Sequence, residues 1–63
     1  MSCIITMKGG VDSNQVDEDF VTMTNTLNVA SASGKTFAIL EDMDGGHIMV
    51  NMDQILFAKE LED

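Results

Sequence analysis

The side chains of this chain that are most suited to act as nucleophile, base or metal ligand are one cysteine, one histidine and eleven acids. Nucleophilic catalysis needs a base beside the nucleophile and a third group that orients the base. Asp42 could orient His47 across a hairpin, but no spacing in the sequence brings Cys3 close to them. We therefore predict a non-enzymatic protein without catalytic residues, in which Asp42 and His47 form an exposed cross-strand pair.

The acids Asp42, Asp44 and Asp53 have part of the pattern of a calcium-binding loop. With Asp42 as the first ligand, however, His47 takes the place of the invariant glycine and Asp53 stands where the loop requires glutamate. The flanking segments are typical of strands rather than helices, and one cysteine with one histidine is too few for a structural zinc site. We predict no metal ligands and no cofactor-binding residues.

The charge of the chain is strongly negative, with eleven acids against three lysines and a net charge of −8. Binding to nucleic acid needs clustered lysine and arginine, which attract its phosphates. An anionic membrane surface repels a protein with an excess of acids. We therefore expect neither direct nucleic-acid binding nor membrane binding. Acidity favours solubility. It also leaves an alternative function: an acidic inhibitor or nucleic-acid mimic, of the kind phages can encode, that occupies a basic partner surface.

The length of 63 residues predicts a single domain over residues 1–63, and so small a core gives marginal stability. A lone cysteine excludes an intrachain disulfide, so we expect a binding partner to supply the additional stability that a small core lacks. No segment has the length or apolar character of a signal peptide or a membrane span. Together with the unpaired cysteine, this predicts a cytoplasmic protein.

The first part of the chain alternates between strand and turn signals. Residues 2–7 are β-prone, and residues 8–10 contain a glycine pair that predicts a turn. Residues 11–16 fit either a short second strand or a loop.

Residues 17–33 fit a helix or a strand. A helix is favoured because Val16, Phe20, Met23, Leu27 and Ala30 form one apolar stripe. The segment begins with the acids Asp17, Glu18 and Asp19, where a helix N-terminus favours negative charge, and a glycine follows it as a stop signal. The strand interpretation rests on the many threonine and valine residues.

Residues 36–51 predict a β-hairpin with its turn at Asp44-Gly45. In this register Phe37, Ile39 and Val50 lie on the inner face, against the helix. Leu40 and Met49 lie opposite each other on the outer face. Leu40, Met49, Asp42 and His47 are thus the predicted interaction residues.

The tail, residues 53–61, fits a strand that returns along the sheet or a helix capped by Asn51. The consecutive apolar residues Ile55, Leu56 and Phe57 favour a strand buried on both faces.

These elements predict an α+β fold, with an antiparallel sheet of three to four strands and one helix on one face. The alternative is an all-β small barrel or sandwich. An apolar outer hairpin face and six methionines are typical of adaptable binding surfaces. We expect a protein–protein interaction module, acting as a homo-oligomer or as a small accessory subunit of another protein.

Overall fold

The computed structural model describes residues 1–10 and 13–62 and has the predicted α+β class. Its single helix rules out the all-β alternative. The elements, in chain order, are β1 (Ser2–Met7), β2 (Ser13–Val16), α1 (Phe20–Ala32), β3 (Phe37–Glu41), β4 (His47–Asn51), a 3-10 turn (Met52–Gln54) and β5 (Ile55–Leu61).

The five strands form two small antiparallel sheets where the sequence predicted one. One sheet has the order β2-β1-β5, and the other is the β3-β4 hairpin. A single bridge between Val16 and Asp42 joins them, and beside it the Asp17 N–H donates to the Glu41 carbonyl over 2.9 Å. The end of β2 therefore lies against the end of β3, on the edge away from β4.

The turn after β1 follows the glycine signal. Gly9 has φ of 65°, a conformation that costs glycine little because it has no Cβ, and the Gly10 N–H donates to the Met7 carbonyl over 3.1 Å. Of the ambiguous segment 11–16, residues 13–16 form β2 and pair with β1. Residues 11 and 12 lie outside the described residues.

The helix interpretation of residues 17–33 is confirmed, and both ends of α1 are capped. Asp19 is the N-cap, and its carboxylate accepts from the Thr22 N–H over 3.2 Å. At the C-terminus Gly34 has φ of 77° and the Lys35 N–H donates to the Ala30 carbonyl over 3.0 Å. This hydrogen bond and the left-handed glycine form a Schellman motif, which ends the helix.

The hairpin is confirmed, but its predicted register is wrong by one residue. Residues 42–46 form a five-residue loop, closed by a 2.9 Å hydrogen bond from the Asp42 N–H to the Gly46 carbonyl. Residue Ile39 is therefore opposite Met49, not Val50. A shift of one residue turns a strand over relative to its partner.

The corrected register inverts the faces of β3 and leaves those of β4 as predicted. Ala38 and Leu40 are buried, whereas Phe37 and Ile39 are exposed. The loop decides this, because three residues lie between the hydrogen-bonded Asp42 and Gly46, one more than in the predicted turn. As a result β3 buries Ala38 and Leu40 instead of Phe37 and Ile39.

The core brings together buried residues from both sheets and the helix. Met23 lies in it, and Leu27 and Ala30 pack against it; this confirms that part of the predicted stripe faces inward. Phe20 is instead exposed and Val16 belongs to β2. The buried apolar residues are Cys3, Ile5, Val16, Met23, Ala38, Leu40 and Val50.

The strand interpretation of the tail is confirmed: β5 pairs with β1. Asn51 still acts as a cap, since its side chain accepts from the Asp53 N–H over 3.0 Å, but it caps the 3-10 turn. Leu56 and Phe57 are exposed, so β5 is not buried on both faces. The pairing of β5 with β1 shifts by one residue between Thr6 and Met7.

Candidate functional site

The predicted apolar pair on the outer hairpin face does not form. Leu40 is only 1% exposed and packs in the core, while Met49 is 67% exposed on the opposite face. The cause is the one-residue register shift, which places Leu40 opposite Ile48. Of the two predicted apolar interaction residues, only Met49 is at the surface.

The predicted Asp42–His47 pair does not form either, because the register places Glu41 opposite His47. Asp42 lies in the loop, where its carboxylate accepts from the Met43 N–H over 2.9 Å. His47 is exposed on the outer face.

Cys3 is buried in β1, and its thiol donates to the Glu18 carbonyl over 3.3 Å. Burial raises the pKa of this thiol, and the nearby carboxylates of Glu60, Asp19 and Glu18 raise the pKa further. The thiol is therefore neutral at physiological pH and poorly nucleophilic. Within residues 1–10 and 13–62, no three histidine, cysteine or acidic residues are placed to hold a metal ion.

A groove of about 840 Å³ lies between α1 and β3. This volume lies in the range of ligand-binding clefts. One wall comes from the helix and the other from the hairpin, and the two are joined by the short connection after α1. The lining residues are Asn25, Thr26, Val29, Ala30, Ser33, Lys35, Thr36, Phe37, Ala38, Ile39 and Met49.

The groove gathers large apolar side chains that are exposed to water. Val29 on α1 is 66% exposed, Ile39 on β3 is 61% exposed, and Phe37 is 49% exposed. Met49 stands beside Ile39 on the outer face. Single exposed apolar residues are common, but several that line one concave surface indicate a binding site.

The main chain of β3 also faces this groove. In an antiparallel pair, successive residues direct their N–H and C=O groups alternately to one neighbour and to the opposite edge. Asp42 bonds to Gly46 on the β4 side, so the even-numbered residues of β3 face β4. Phe37, Ile39 and Glu41 therefore direct their main-chain groups to the other edge.

Glu41 already has partners on that edge. Its carbonyl accepts from the Asp17 N–H over 2.9 Å, and its N–H donates to the Glu18 carboxylate over 2.8 Å. Among the described residues, the only hydrogen bonds on this edge are those at Glu41. We call the main-chain groups of Phe37 and Ile39 the open edge of β3.

A second, smaller depression adjoins the groove at Ile39. Its lining includes four acids, here called the acidic cluster: Asp17, Glu18, Asp19 and Glu41. His47 also lines it. The hydrogen bond from Thr22 holds the pKa of Asp19 below its usual value, so this carboxylate is ionised at neutral pH. The acidic cluster gives one end of the groove a negative field.

Sequence reasoning missed the groove residues Val29, Phe37 and Ile39. Val29 lies off the predicted apolar stripe of α1, which is a signal of exposure in the sequence itself. Phe37 and Ile39 were assigned to the inner face because the turn was placed at Asp44-Gly45. No local signal gave the five-residue loop.

Comparisons with protein-family models, with curated proteins and with solved structures gave no match to this chain. None of the helical segments described here is long and apolar enough to cross a membrane.

Proposed function

We propose that the protein is a non-enzymatic protein–protein interaction module, acting as a small accessory subunit or in a homo-oligomer. The observation that carries the proposal is the apolar groove between α1 and β3, where Val29, Phe37, Ile39 and Met49 are exposed. A partner that covers these side chains removes apolar surface from water, which favours association.

The small size of the chain supports the same proposal. A domain of 63 residues leaves a large share of its apolar surface exposed. Binding to the folded state alone stabilises that state by mass action. A partner on the groove therefore adds to the stability of this small core.

The chemistry of the exposed groups supports a binding role over a catalytic one. His47 faces Glu41 across the hairpin, and Cys3 is buried with a raised thiol pKa. Neither arrangement joins a nucleophile to a base. The proposed function therefore rests on surface complementarity, without a reaction step.

The test is affinity capture from the native host with a matched pair of variants. Val29→Asp places a charge in the groove, and Val21→Asp places the same charge on the same helix outside it. Val21 is 65% exposed, so neither substitution buries a charge. Because an acid suits the first turn of a helix better than the last, urea unfolding of both variants verifies that each is folded. We expect Val29→Asp to release a captured protein that Val21→Asp retains, and purified partner to reproduce the difference.

Sedimentation velocity of the wild type tests the homo-oligomeric form. Self-association that Val29→Asp abolishes and Val21→Asp leaves intact supports a groove-mediated oligomer. A monomer at all concentrations, with no protein whose capture depends on Val29, contradicts the proposed function.

The acidic cluster supports a second candidate, an acidic inhibitor that occupies a basic partner surface. Such a complex depends on charge, so its affinity falls steeply as salt screens the interaction. A complex held by the apolar groove keeps part of its affinity at high salt and loses it with Val29→Asp, whereas the complex of an acidic inhibitor is lost with salt and withstands that substitution. Titration of the purified complex with sodium chloride, repeated with Val29→Asp, separates the two candidates.

A further inference from the structure

We propose that the groove binds an extended peptide segment, which adds as an antiparallel strand to the open edge of β3 and carries basic residues at its amino-terminal end. The inference rests on the proposed function and names the kind of partner. Three features of the groove support it: the open edge, the two apolar walls and the position of the acidic cluster.

The open edge of β3 supplies the main-chain hydrogen bonds. Phe37 and Ile39 each direct one N–H and one C=O to the groove, and together they form the pattern that an added strand completes. The Asp17 N–H already makes this kind of bond to Glu41 at the end of the edge. At this point β2 ends, because the chain turns into α1. The incoming segment would lie along β3 where a longer β2 would continue.

The two walls accept side chains from both faces of such a strand. A strand added to β3 lies about 4.8 Å away from it, and its side chains alternate between the two faces. On the outer face they lie beside Phe37 and Ile39, which are exposed. On the inner face they meet Val29 and Ala30 of α1. An extended segment of apolar and β-branched residues fits both walls.

The charges at the two ends of the groove set the direction of the segment. The acidic cluster lies at the Glu41 end, and Lys35 lies at the end near Phe37. An antiparallel strand begins at the Glu41 end, so basic residues in its amino-terminal part meet the acidic cluster. Its carboxyl-terminal part reaches Lys35.

A second copy of the chain fits this edge less well than a single segment. The β3 strand of another copy has its own α1 beside the same edge, so a twofold pairing of the edges brings the two helices against each other. Each copy also has a net charge of −8, which opposes association. A single strand with basic residues meets neither obstacle.

The probe is the synthetic peptide acetyl-Lys-Lys-Val-Thr-Val-Thr-Val-amide, titrated into the full chain and followed by amide NMR shifts and hydrogen exchange. We expect saturable binding, with the largest shifts and new exchange protection at the N–H groups of Phe37 and Ile39. Binding at other residues, or none at millimolar peptide, overturns the inference.

Four altered peptides test the direction and the hydrogen bonds. Moving both lysines to the carboxyl-terminal end, or replacing them by glutamate, should weaken binding about tenfold or more. Equal affinity of the reversed peptide contradicts the assigned direction.

N-methylation of alternate amides should abolish binding when those amides face β3. Methylation of the other set should change it little. Equal effects of the two sets indicate docking by side chains alone and overturn strand addition.

The variant pair Val29→Asp and Val21→Asp locates the peptide. We expect Val29→Asp to weaken peptide binding about tenfold or more, and Val21→Asp to leave it near wild type. If the peptide fails to bind but Val29→Asp still releases a captured protein, strand addition is wrong and the interaction module stands. If both effects are absent, both proposals fail.

Discussion

At the scale of single residues, two side chains have pKa values that their surroundings shift. Asp19 accepts from the Thr22 N–H at the start of α1, and the Cys3 thiol donates to the Glu18 carbonyl. Cys3 lies in β1 opposite Val16 at the end of β2, and Asp19 lies between β2 and α1. Each leads to a prediction that depends on its protonation state.

The Asp19 cap predicts a dependence of stability on pH. The hydrogen bond to Thr22 lowers the pKa of Asp19 in the folded state. A lowered folded-state pKa gives a stabilising contribution that is complete above the unfolded pKa and is lost as the pH falls through the folded pKa. We expect Asp19→Ala to be less stable than the wild type near neutral pH, and the difference to shrink in strong acid.

Urea unfolding at several pH values measures this difference. Asp19→Asn keeps an oxygen acceptor without the charge, so it should retain more stability than Asp19→Ala in neutral solution. Asp44→Asn removes one acid from the exposed hairpin loop and controls for net charge. A gap between Asp19→Ala and the wild type that is unchanged in strong acid would show that the carboxylate does not cap α1.

The burial of Cys3 predicts a slow thiol. Its raised pKa keeps the group protonated, and its buried position blocks reagents. We expect native protein to react slowly with a thiol-specific reagent, at a rate that rises with urea along the unfolding transition. The double variant Cys3→Ala, Ser31→Cys places a thiol on the exposed side of α1 and should react at once. Fast labelling of the native wild type would contradict the placement of Cys3.

At the scale of elements, the hairpin is the part of the fold that decides the surface. Its five-residue loop sets the register, and the register selects which side chains of β3 enter the core. The same choice turns Phe37 and Ile39 toward the groove. The lining of the groove and the composition of the core are therefore two consequences of one loop.

Two adjacent residues of β3 test this register. Leu40→Ala removes a side chain that is 1% exposed and should cost about 2–5 kcal/mol of unfolding free energy, because it leaves a cavity. Ile39→Ala removes a side chain that is 61% exposed and should cost under about 1 kcal/mol. Urea unfolding of both variants gives the comparison. A larger cost for Ile39→Ala would restore the register with the turn at Asp44-Gly45.

At the scale of the whole molecule, charge acts against compactness. Eleven acids and three lysines leave a net charge of −8 on a chain of 63 residues. Like charges repel most strongly in the compact state and at low ionic strength. A basic partner that covers the groove would also relieve this repulsion.

This repulsion predicts that salt stabilises the protein. We expect the melting temperature at neutral pH to rise as sodium chloride is added from low ionic strength. The same titration near the sequence pI of about 4.1 is the control, because the net charge is small there and the rise should largely vanish. No change or a fall at neutral pH would indicate that the acids are paired locally or bind a cation.

Local signals in the sequence determined the elements of this protein. The glycine turn after β1, the acid and glycine at the ends of α1, and the apolar runs of the hairpin and of β5 each act within a few residues. Such signals predict where an element begins and ends, and they gave the α+β class. The three-stranded sheet, by contrast, needs the pairing of β5 with β1, which are distant in the chain.

Only the tertiary structure decided the faces of β3 and hence the candidate site. The bridge from Val16 to Asp42 and the hydrogen bond from Asp42 to Gly46 fix the register, and neither has a signature in the local sequence. A shift of one residue places Leu40 in the core, where the predicted register placed Ile39. The groove also needs α1 and β3 side by side, because each contributes one wall. The sequence by itself therefore determined the elements, and the tertiary structure decided which side chains of β3 remain exposed.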